Sequence, residues 1–163
     1  MTTVGSLCSG IGGLDLAVCA YYGADVAWHA ETDSHARQVL ARHWPGTPNL
    51  GDVTTVEWGA VPKVDIITAG YPCQPFSQAG RRQGEQDERH LWPYIFRAIC
   101  LLRPTIVVLE NVPGHVSLGL PRVLADLCAL RFDAEWGTVR ASDIGASHRR
   151  ERLFVVAHAD GAR

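Results

Sequence analysis

The sequence lacks the features that mark membrane, secreted and metal-binding proteins. No apolar run approaches the ~20 residues of a membrane-spanning helix, and the first residues, MTTVGSLCSG, contain no basic segment followed by an apolar one. The five cysteines are odd in number and none stands in a C-x-x-C pair, which argues against a disulfide framework or a zinc site. We therefore expect a cytoplasmic protein with reduced thiols, no membrane association and no metal.

Lysine is nearly absent too, so almost all of the 15 basic residues are arginines. The formal net charge of -2 and the isoelectric point of about 6.4 argue against the broad basic face of a bulk nucleic-acid binder. The arginines cluster at Arg81 and Arg82 and again at Arg149, Arg150 and Arg152. Because arginine makes bidentate contacts with phosphates and base edges, one interpretation is a local basic rim. The other is solvated charge in loops.

Apolar segments typical of strands alternate with segments typical of helices along all 163 residues, without a change in composition. The predicted strands are TTVGSLC, ADVAWHA, VDIITAG and PTIVVLE, and RFDAEWGTVRA and RLFVVAHA are predicted to form a closing strand pair. The predicted helices are LDLAVCAYY, SHARQVLARHW with Ser34 as its N-cap, LWPYIFRAICLL and LPRVLADLCAL. This order predicts one α/β domain, residues 1–163, with a mostly parallel sheet and helices on both faces.

Candidate ligand-binding residues follow the first strands, where functional groups gather in such sheets. Gly10, Gly12 and Gly13 form a strand-to-helix turn without the G-x-G-x-x-G spacing of a dinucleotide site. Glu31, at the end of the second strand, is placed to accept both hydroxyls of a ribose, and Asp52 is predicted to end the next strand. These features favour a nucleoside without a pyrophosphate, such as S-adenosylmethionine; a tight turn without a ligand is the alternative.

A second set of candidates follows the strands VDIITAG and PTIVVLE. Cys73 comes just after the first, and Glu110 and Asn111 end the second. Neighbouring parallel strands end at one edge, so a thiol and a partly desolvated carboxyl can face one pocket, which suits covalent addition to an electron-poor ring. Cys73 as inert packing and Glu110 as a cap of the next turn are the alternatives. The polar loop QAGRRQGEQDERH follows Cys73 and has the length of a functional lid or a disordered segment.

Six motifs in a fixed order carry a family resemblance that spans nearly the whole chain. They are SGIGGLDLA, AETDSHA, GDV, GYPCQPFSQAG, LENVPG and GASHRRERLFVVA. In these motifs the chain resembles the cytosine-5 DNA methyltransferases. The resemblance implies the Rossmann-like fold of S-adenosylmethionine-dependent methyltransferases, S-adenosylmethionine as the cofactor, and duplex DNA as the partner.

The resemblance also implies a role for each matched residue. Cys73 would attack C6 of a flipped cytosine, Glu110 would bind N3 and the 4-amino group, and Arg152 would hold O2 with support from Arg150. Asn111 belongs to the same catalytic set. The cofactor set is Gly10, Ile11, Gly12, Gly13, Glu31, Thr32, Asp52, Val53, Pro72 and Leu91, with Glu31 at the ribose and Asp52 at the adenine. Residues 77–90 match the lid that closes over DNA.

The chain departs from the family at several points. Cys8 stands where a phenylalanine usually stacks on the adenine, which is expected to weaken cofactor binding, and His148 stands where a glutamine is usual. After RLFVVAHADGAR the family continues with a target-recognition domain and a terminal segment that are absent from this sequence. We therefore expect a bacterial or phage enzyme that needs a recognition part, supplied for example by a second chain. The alternatives are a transfer-RNA cytosine-5 methyltransferase and an inactive remnant that only binds cofactor or partner.

Overall fold

The computed structural model describes residues 1–72 and 91–161. Its strands are β1 (Thr2–Leu7), β2 (Ala24–Ala30), β3 (Ile66–Ala69), β4 (Ile106–Asn111), β5 (Phe132–Arg140) and β6 (Glu151–Ala159). Its helices are α1 (Gly13–Tyr22), α2 (Ser34–His43), α3 (Trp92–Leu102), α4 (His115–Leu118) and α5 (Leu120–Ala129), with short 3₁₀ turns at Trp58–Ala60 and Ala141–Ile144. No helix in these two ranges is long and apolar enough to cross a membrane.

The six strands form one sheet in the order β2-β1-β3-β4-β6-β5. The first four are parallel, whereas β6 runs antiparallel to both β4 and β5. The reversal matters for the site, because it places the beginning of β6 beside the end of β4, with Glu110 opposite Phe154 and Asn111 opposite Leu153. The predicted parallel α/β fold and the closing strand pair are both confirmed.

Helices cover both faces of the sheet, as predicted. On one face, Leu7, Ile67 and Leu109 pack in a large core that includes residues of α3 and α5. On the other face, Val4 and Ile66 pack with Val18 of α1 in a smaller core. The adjacent residues Ile66 and Ile67 thus serve opposite faces, as the alternation of side chains along a strand requires.

The turn before α1 depends on glycine for a packing reason. Gly12 has a φ of 83°, and a Cβ added there would lie 2.5 Å from the ring of Trp44. Both the left-handed backbone and the close approach of the indole therefore exclude a side chain at this position. In contrast, a Cβ added at Gly13, the first residue of α1, would meet no atom within 4 Å.

Two local predictions are wrong because aspartate side chains bind the backbone. Asp33, rather than Ser34, is the N-cap of α2: its Oδ1 accepts a hydrogen bond from the amide of Ala36 at 2.8 Å. Asp52 does not end a strand but lies in a turn, where its Oδ1 accepts from both the amide and the hydroxyl of Thr54. Short side chains of this kind favour caps and turns over strands, because they bond to nearby backbone groups.

Candidate active site

The carboxyl edge of the parallel strands holds a cleft of about 520 Å³, which we call the Glu110 cleft. Its lining residues come from β1, the glycine turn, α1, β3, β4 and β6: Ser6, Cys8, Ser9, Gly10, Ile11, Gly13, Leu14, Asp15, Ala17, Thr68, Gly70, Glu110, Arg150, Arg152 and Phe154. The predicted residues Glu110, Arg150 and Arg152 therefore face the same space as the glycine turn.

Glu110 and Arg152 form the central polar pair of this cleft. The Nε of Arg152 lies 2.7 Å from Oε1 of Glu110, and about a quarter of each side chain is exposed (25% and 26%). The Nη1 of Arg152 also donates to the carbonyl of Glu151 at 2.8 Å, which fixes the guanidinium. The two residues are far apart in sequence and meet because β6 runs antiparallel beside β4. Arg150, just before β6, is exposed at the rim.

A buried carboxyl lies on the floor of the Glu110 cleft. Asp15 of α1 is only 1% exposed and accepts hydrogen bonds from the hydroxyls of Thr68 at 2.6 Å and Ser6 at 2.8 Å. Burial raises the pKa of Asp15, against the opposing effect of these two bonds, while burial lowers the pKa of the neighbouring His29. Sequence reasoning missed this group. The available signal was a charged residue between apolar neighbours in GGLDLA.

A second cleft of about 270 Å³, the Glu31 cleft, adjoins the first. It is lined by Cys8, Gly10, Ala30, Glu31, Thr32, Gly51, Val53, Gly70, Pro72 and Leu91, and it shares Cys8, Gly10 and Gly70 with the Glu110 cleft. Most of the residues expected to bind a cofactor thus line one or other of two connected clefts. Gly12 and Asp52 line neither, since Gly12 packs on Trp44 and the carboxyl of Asp52 bonds to Thr54.

Glu31 is held at the end of β2 by backbone amides. Its Oε2 accepts from the amide of Gly10 at 2.7 Å, and its Oε1 accepts from the amide of Asp33 at 2.8 Å. The carboxylate therefore links the glycine turn to the start of α2 while it lines the cleft. Gly10 has a φ of 53°, and a Cβ added there would meet no atom within 4 Å, so a side chain would project into open space beside this carboxylate.

Cys8 is the one cysteine among the described residues that lines either cleft. Burial, with the nearby charges of Glu31 and Asp52, raises the pKa of its thiol to about 12. The thiol therefore stays protonated near neutral pH. Since the thiolate is the reactive form, Cys8 is not suited to nucleophilic attack.

The chain that leads to Cys73 is anchored by β4 and α4. The Nδ2 of Asn111 donates to the carbonyl of Tyr71 at 3.4 Å, and its Oδ1 accepts from the amide of Val112 at 2.8 Å. The hydroxyl of Tyr71 lies 2.8 Å from Nε2 of the buried His115. Asn111 is thus a buried support rather than a residue that lines a cleft. Cys73, the two arginines of the 81–82 pair and the predicted lid 77–90 lie outside the described residues.

No group of His, Cys, Asp and Glu within residues 1–72 and 91–161 is arranged to hold a metal ion. The polar groups of the two clefts are instead carboxyls, guanidinium groups, hydroxyls and backbone amides. Such groups bind by hydrogen bonds and charge, as a nucleoside and a nucleobase require.

Comparison with known proteins identifies the family. Residues 2–163 match the C-5 cytosine-specific DNA methylases. The type II methyltransferase M.DsaV of Dactylococcopsis salina is 33% identical over 159 residues, which cover 94% of this chain and 45% of that protein. M.NlaX of Neisseria lactamica is 34% identical over 156 residues, which cover 92% of this chain and 50% of that protein. The chain thus spans about half the length of these curated relatives.

Solved structures agree with the fold. A candidate DNA modification methyltransferase encoded within an E. coli prophage has a TM-score of 0.79 and 30% identity, over 98% of this chain and 47% of that one. The Dnmt2 methyltransferase of S. pombe has a TM-score of 0.82 over 98% of this chain and 51% of that one; at 20% identity it supports the Rossmann-like fold alone. With the sequence match over residues 2–163, the chain belongs to the C-5 cytosine-specific DNA methylase family.

Proposed function

We propose that this chain is the catalytic domain of a DNA cytosine-5 methyltransferase, which transfers a methyl group from S-adenosylmethionine to C5 of a cytosine flipped out of duplex DNA. The observation that carries the proposal is the Glu110–Arg152 pair in a cleft that opens into a second one beside Glu31. One cleft offers groups that suit a pyrimidine edge, and the other offers groups that suit a nucleoside. Family membership supports the same reaction.

The Glu31 cleft fits the nucleoside part of the cofactor. Glu31 provides a fixed carboxylate that can accept ribose hydroxyl hydrogens, and Gly10 leaves open space where any side chain would project. Thr32, Val53 and Leu91 complete the wall. S-adenosylmethionine, when bound, supplies the methyl group. With Cys8 where the family usually has phenylalanine, the described part of this wall has no ring to stack on the adenine, so we expect modest affinity.

The Glu110–Arg152 pair matches the hydrogen-bonding edge of cytosine. That edge presents two acceptors, O2 and N3, beside the 4-amino donor. The guanidinium of Arg152 can donate to O2, and the carboxyl of Glu110 can give a proton or hydrogen bond to N3 and accept from the amino group. Both interactions draw electron density from the ring, which makes C6 electrophilic. Because each side chain is only about a quarter exposed, the interactions are stronger than in open water.

We assign the nucleophile to Cys73. Its thiolate would form a bond with C6, and the displaced ring electrons make C5 nucleophilic. After C5 has gained the methyl group it loses its proton to a base, and the C6–S bond breaks to restore the aromatic ring and the thiolate. The raised pKa of Cys8 supports this choice, because a thiol that stays protonated cannot start the sequence. Attack on C6 requires a flipped cytosine, because in a duplex the neighbouring stacked bases cover both faces of its ring.

The sequence specificity of the whole protein is a separate proposal. The chain spans about half the length of its curated relatives, and its net charge of -2 is not typical of a protein with a broad basic DNA-binding face. We propose that a further recognition part, on this or a second chain, delivers the duplex to the cleft in the cytoplasm of a bacterium or a phage-infected cell.

Covalent trapping tests the nucleophile. The chain, alone and with a candidate recognition chain, is mixed with S-adenosylmethionine and a duplex that carries 5-fluorocytosine, in which the C5 substituent cannot leave as a proton. We expect a stable protein–DNA adduct with the wild type and with the control Cys128→Ser, whose thiol is exposed on α5. Cys73→Ser should form none, and an adduct that persists in this variant would refute the assignment.

Methyl-labelled S-adenosylmethionine distinguishes the substrate classes. We expect label in duplex DNA under the conditions that give the adduct. Label in transfer RNA alone would instead establish the RNA enzyme. Binding of S-adenosylmethionine without label in either nucleic acid, with every candidate recognition chain, would favour a remnant without turnover.

A further inference from the structure

We propose that Asn49 is a positioning residue for the cofactor: its side-chain oxygen holds together two turns that line the Glu31 cleft. The inference rests on the proposed function, because it takes the Glu31 cleft as the site of S-adenosylmethionine. Asn49 itself lines neither cleft. It starts from hydrogen bonds at the end of β2.

Asn49 lies where backbone pairing beside β2 stops. His29 donates its amide to the carbonyl of Pro48 at 2.9 Å and accepts from the amide of Leu50 at 2.7 Å, so Asn49 forms an isolated parallel bridge with His29. Beyond this bridge the two segments diverge into separate turns. One carries Glu31, and the other carries Gly51 and Val53.

The side chain of Asn49 bonds to both turns after the bridge ends. Its Oδ1 accepts from the amide of Glu31 at 3.1 Å and from the amide of Gly51 at 2.9 Å. Since the carboxylate of Glu31 accepts from the amide of Gly10, a continuous series of bonds links the glycine turn, the Glu31 turn and the Gly51 turn. Every part of this series except Asn49 lines the Glu31 cleft.

The side-chain oxygen of Asn49, and not its amide nitrogen, makes the hydrogen bonds at this position. Its Nδ2 is buried and has no hydrogen-bond partner among the described residues. The opposite orientation of the amide would point N–H groups at two N–H donors, so the two bonds fix which atom is the oxygen. An aspartate would supply the same acceptor without an unpaired nitrogen, but it would add a negative charge near Glu31 and Asp52.

Loss of the oxygen should loosen the cleft more than it disturbs the core. Two partly buried amides would lose their acceptor, and the separation of the two turns would be less restrained. A cofactor that contacts both turns would then have to order them on binding. From the usual net contribution of such bonds we expect cofactor affinity to fall about tenfold.

The test compares Asn49→Ala with Asn49→Asp in the full chain. S-adenosylhomocysteine, the demethylated product, is titrated by two-dimensional NMR, which also reports amide hydrogen exchange at Glu31 and Gly51. We expect Asn49→Ala to bind about tenfold more weakly and to exchange faster at both amides. Asn49→Asp, which keeps the acceptor, should retain the slow exchange and bind more tightly than Asn49→Ala.

Asp65→Ala is the matched control. Asp65 also serves as a shared acceptor, for the amide and hydroxyl of Thr3, but at the opposite end of the strands. It should lower thermal stability and leave the affinity within experimental error. Wild-type binding that Asn49→Ala does not weaken would overturn the role of Asn49 alone. A wild type that binds no S-adenosylhomocysteine would overturn the proposed function together with this role.

Discussion

Replacement of Arg152 by alanine should damage methyl transfer far more than it damages the fold. The guanidinium lies 2.7 Å from the carboxyl of Glu110, but a quarter of each side chain is in solvent. Ion pairs with this much exposure contribute about 1 kcal/mol or less to stability, because water screens the charges. We therefore expect the free energy of unfolding of Arg152→Ala to fall by no more than about 1 kcal/mol.

The loss in catalysis is expected to be larger because the site becomes drier when a base enters. A hydrogen bond to a charged group is worth about 1.5–3 kcal/mol, which corresponds to about 10- to 150-fold in rate. Arg152→Ala should therefore lower kcat/KM for methyl transfer by about that factor. Arg152→Lys keeps the charge but lacks the planar fork that can contact O2 and Glu110 together. Its activity should therefore lie between that of the wild type and that of Arg152→Ala.

The assay measures labelled methyl groups in duplex DNA, under conditions in which the wild type is active, beside chemical unfolding of each variant. Arg140→Ala is the matched control, because Arg140 pairs with Glu151 at 3.6 Å on the same strand pair and lines neither cleft. Its activity should stay at the wild-type level. Wild-type kcat/KM in Arg152→Ala, or an equal loss in Arg140→Ala, would refute a specific contact with the base.

Two further predictions concern stability. Gly12→Ala should lower the free energy of unfolding by about 1–3 kcal/mol, since its Cβ would meet Trp44, whereas Gly13→Ala should change it little; equal losses by chemical denaturation would refute the packing argument. Burial lowers the pKa of His29 from 6.5, so the unfolded chain binds a proton that the folded chain resists, and stability should fall as pH drops below 6.5. His29→Gln should flatten this slope between pH 6.5 and 5, measured by unfolding at each pH; an unchanged slope would rule out His29 as its source.

Much of the fold was predictable because the strands are apolar enough to identify by sequence. Most residues of β1, β2, β3 and β4 are buried, as expected for parallel strands that are covered on both faces. The closing pair was also predicted, but the insertion of β6 between β4 and β5 was not. That position decides the site, since it alone brings Arg152 beside Glu110.

The wrong and missed assignments have a common cause in short polar side chains. Asp33 and Asp52 bond to backbone groups two or three residues away, which produced a cap and a turn where the sequence pattern suggested other positions. Asp15 and Asn49 bond to residues 53 and 18 positions away. Their roles depend on tertiary neighbours, and no local spacing rule could have identified them.

The two clefts differ in the charges of their side chains, although they share Cys8, Gly10 and Gly70. Glu31 and the nearby Asp52 favour the positive and hydrogen-bond-donating parts of a ligand, and burial, together with these two charges, raises the pKa of the Cys8 thiol. At the other end of the same edge, Arg150 and Arg152 supply positive charge beside Glu110. A nucleophilic thiolate is favoured near the arginines and disfavoured near the acids. Since Cys73 follows Pro72 directly, and Gly70 lines both clefts, a single short segment after β3 connects the two regions. The raised pKa of Cys8 therefore makes this thiol the informative control for the chemistry that we propose for Cys73.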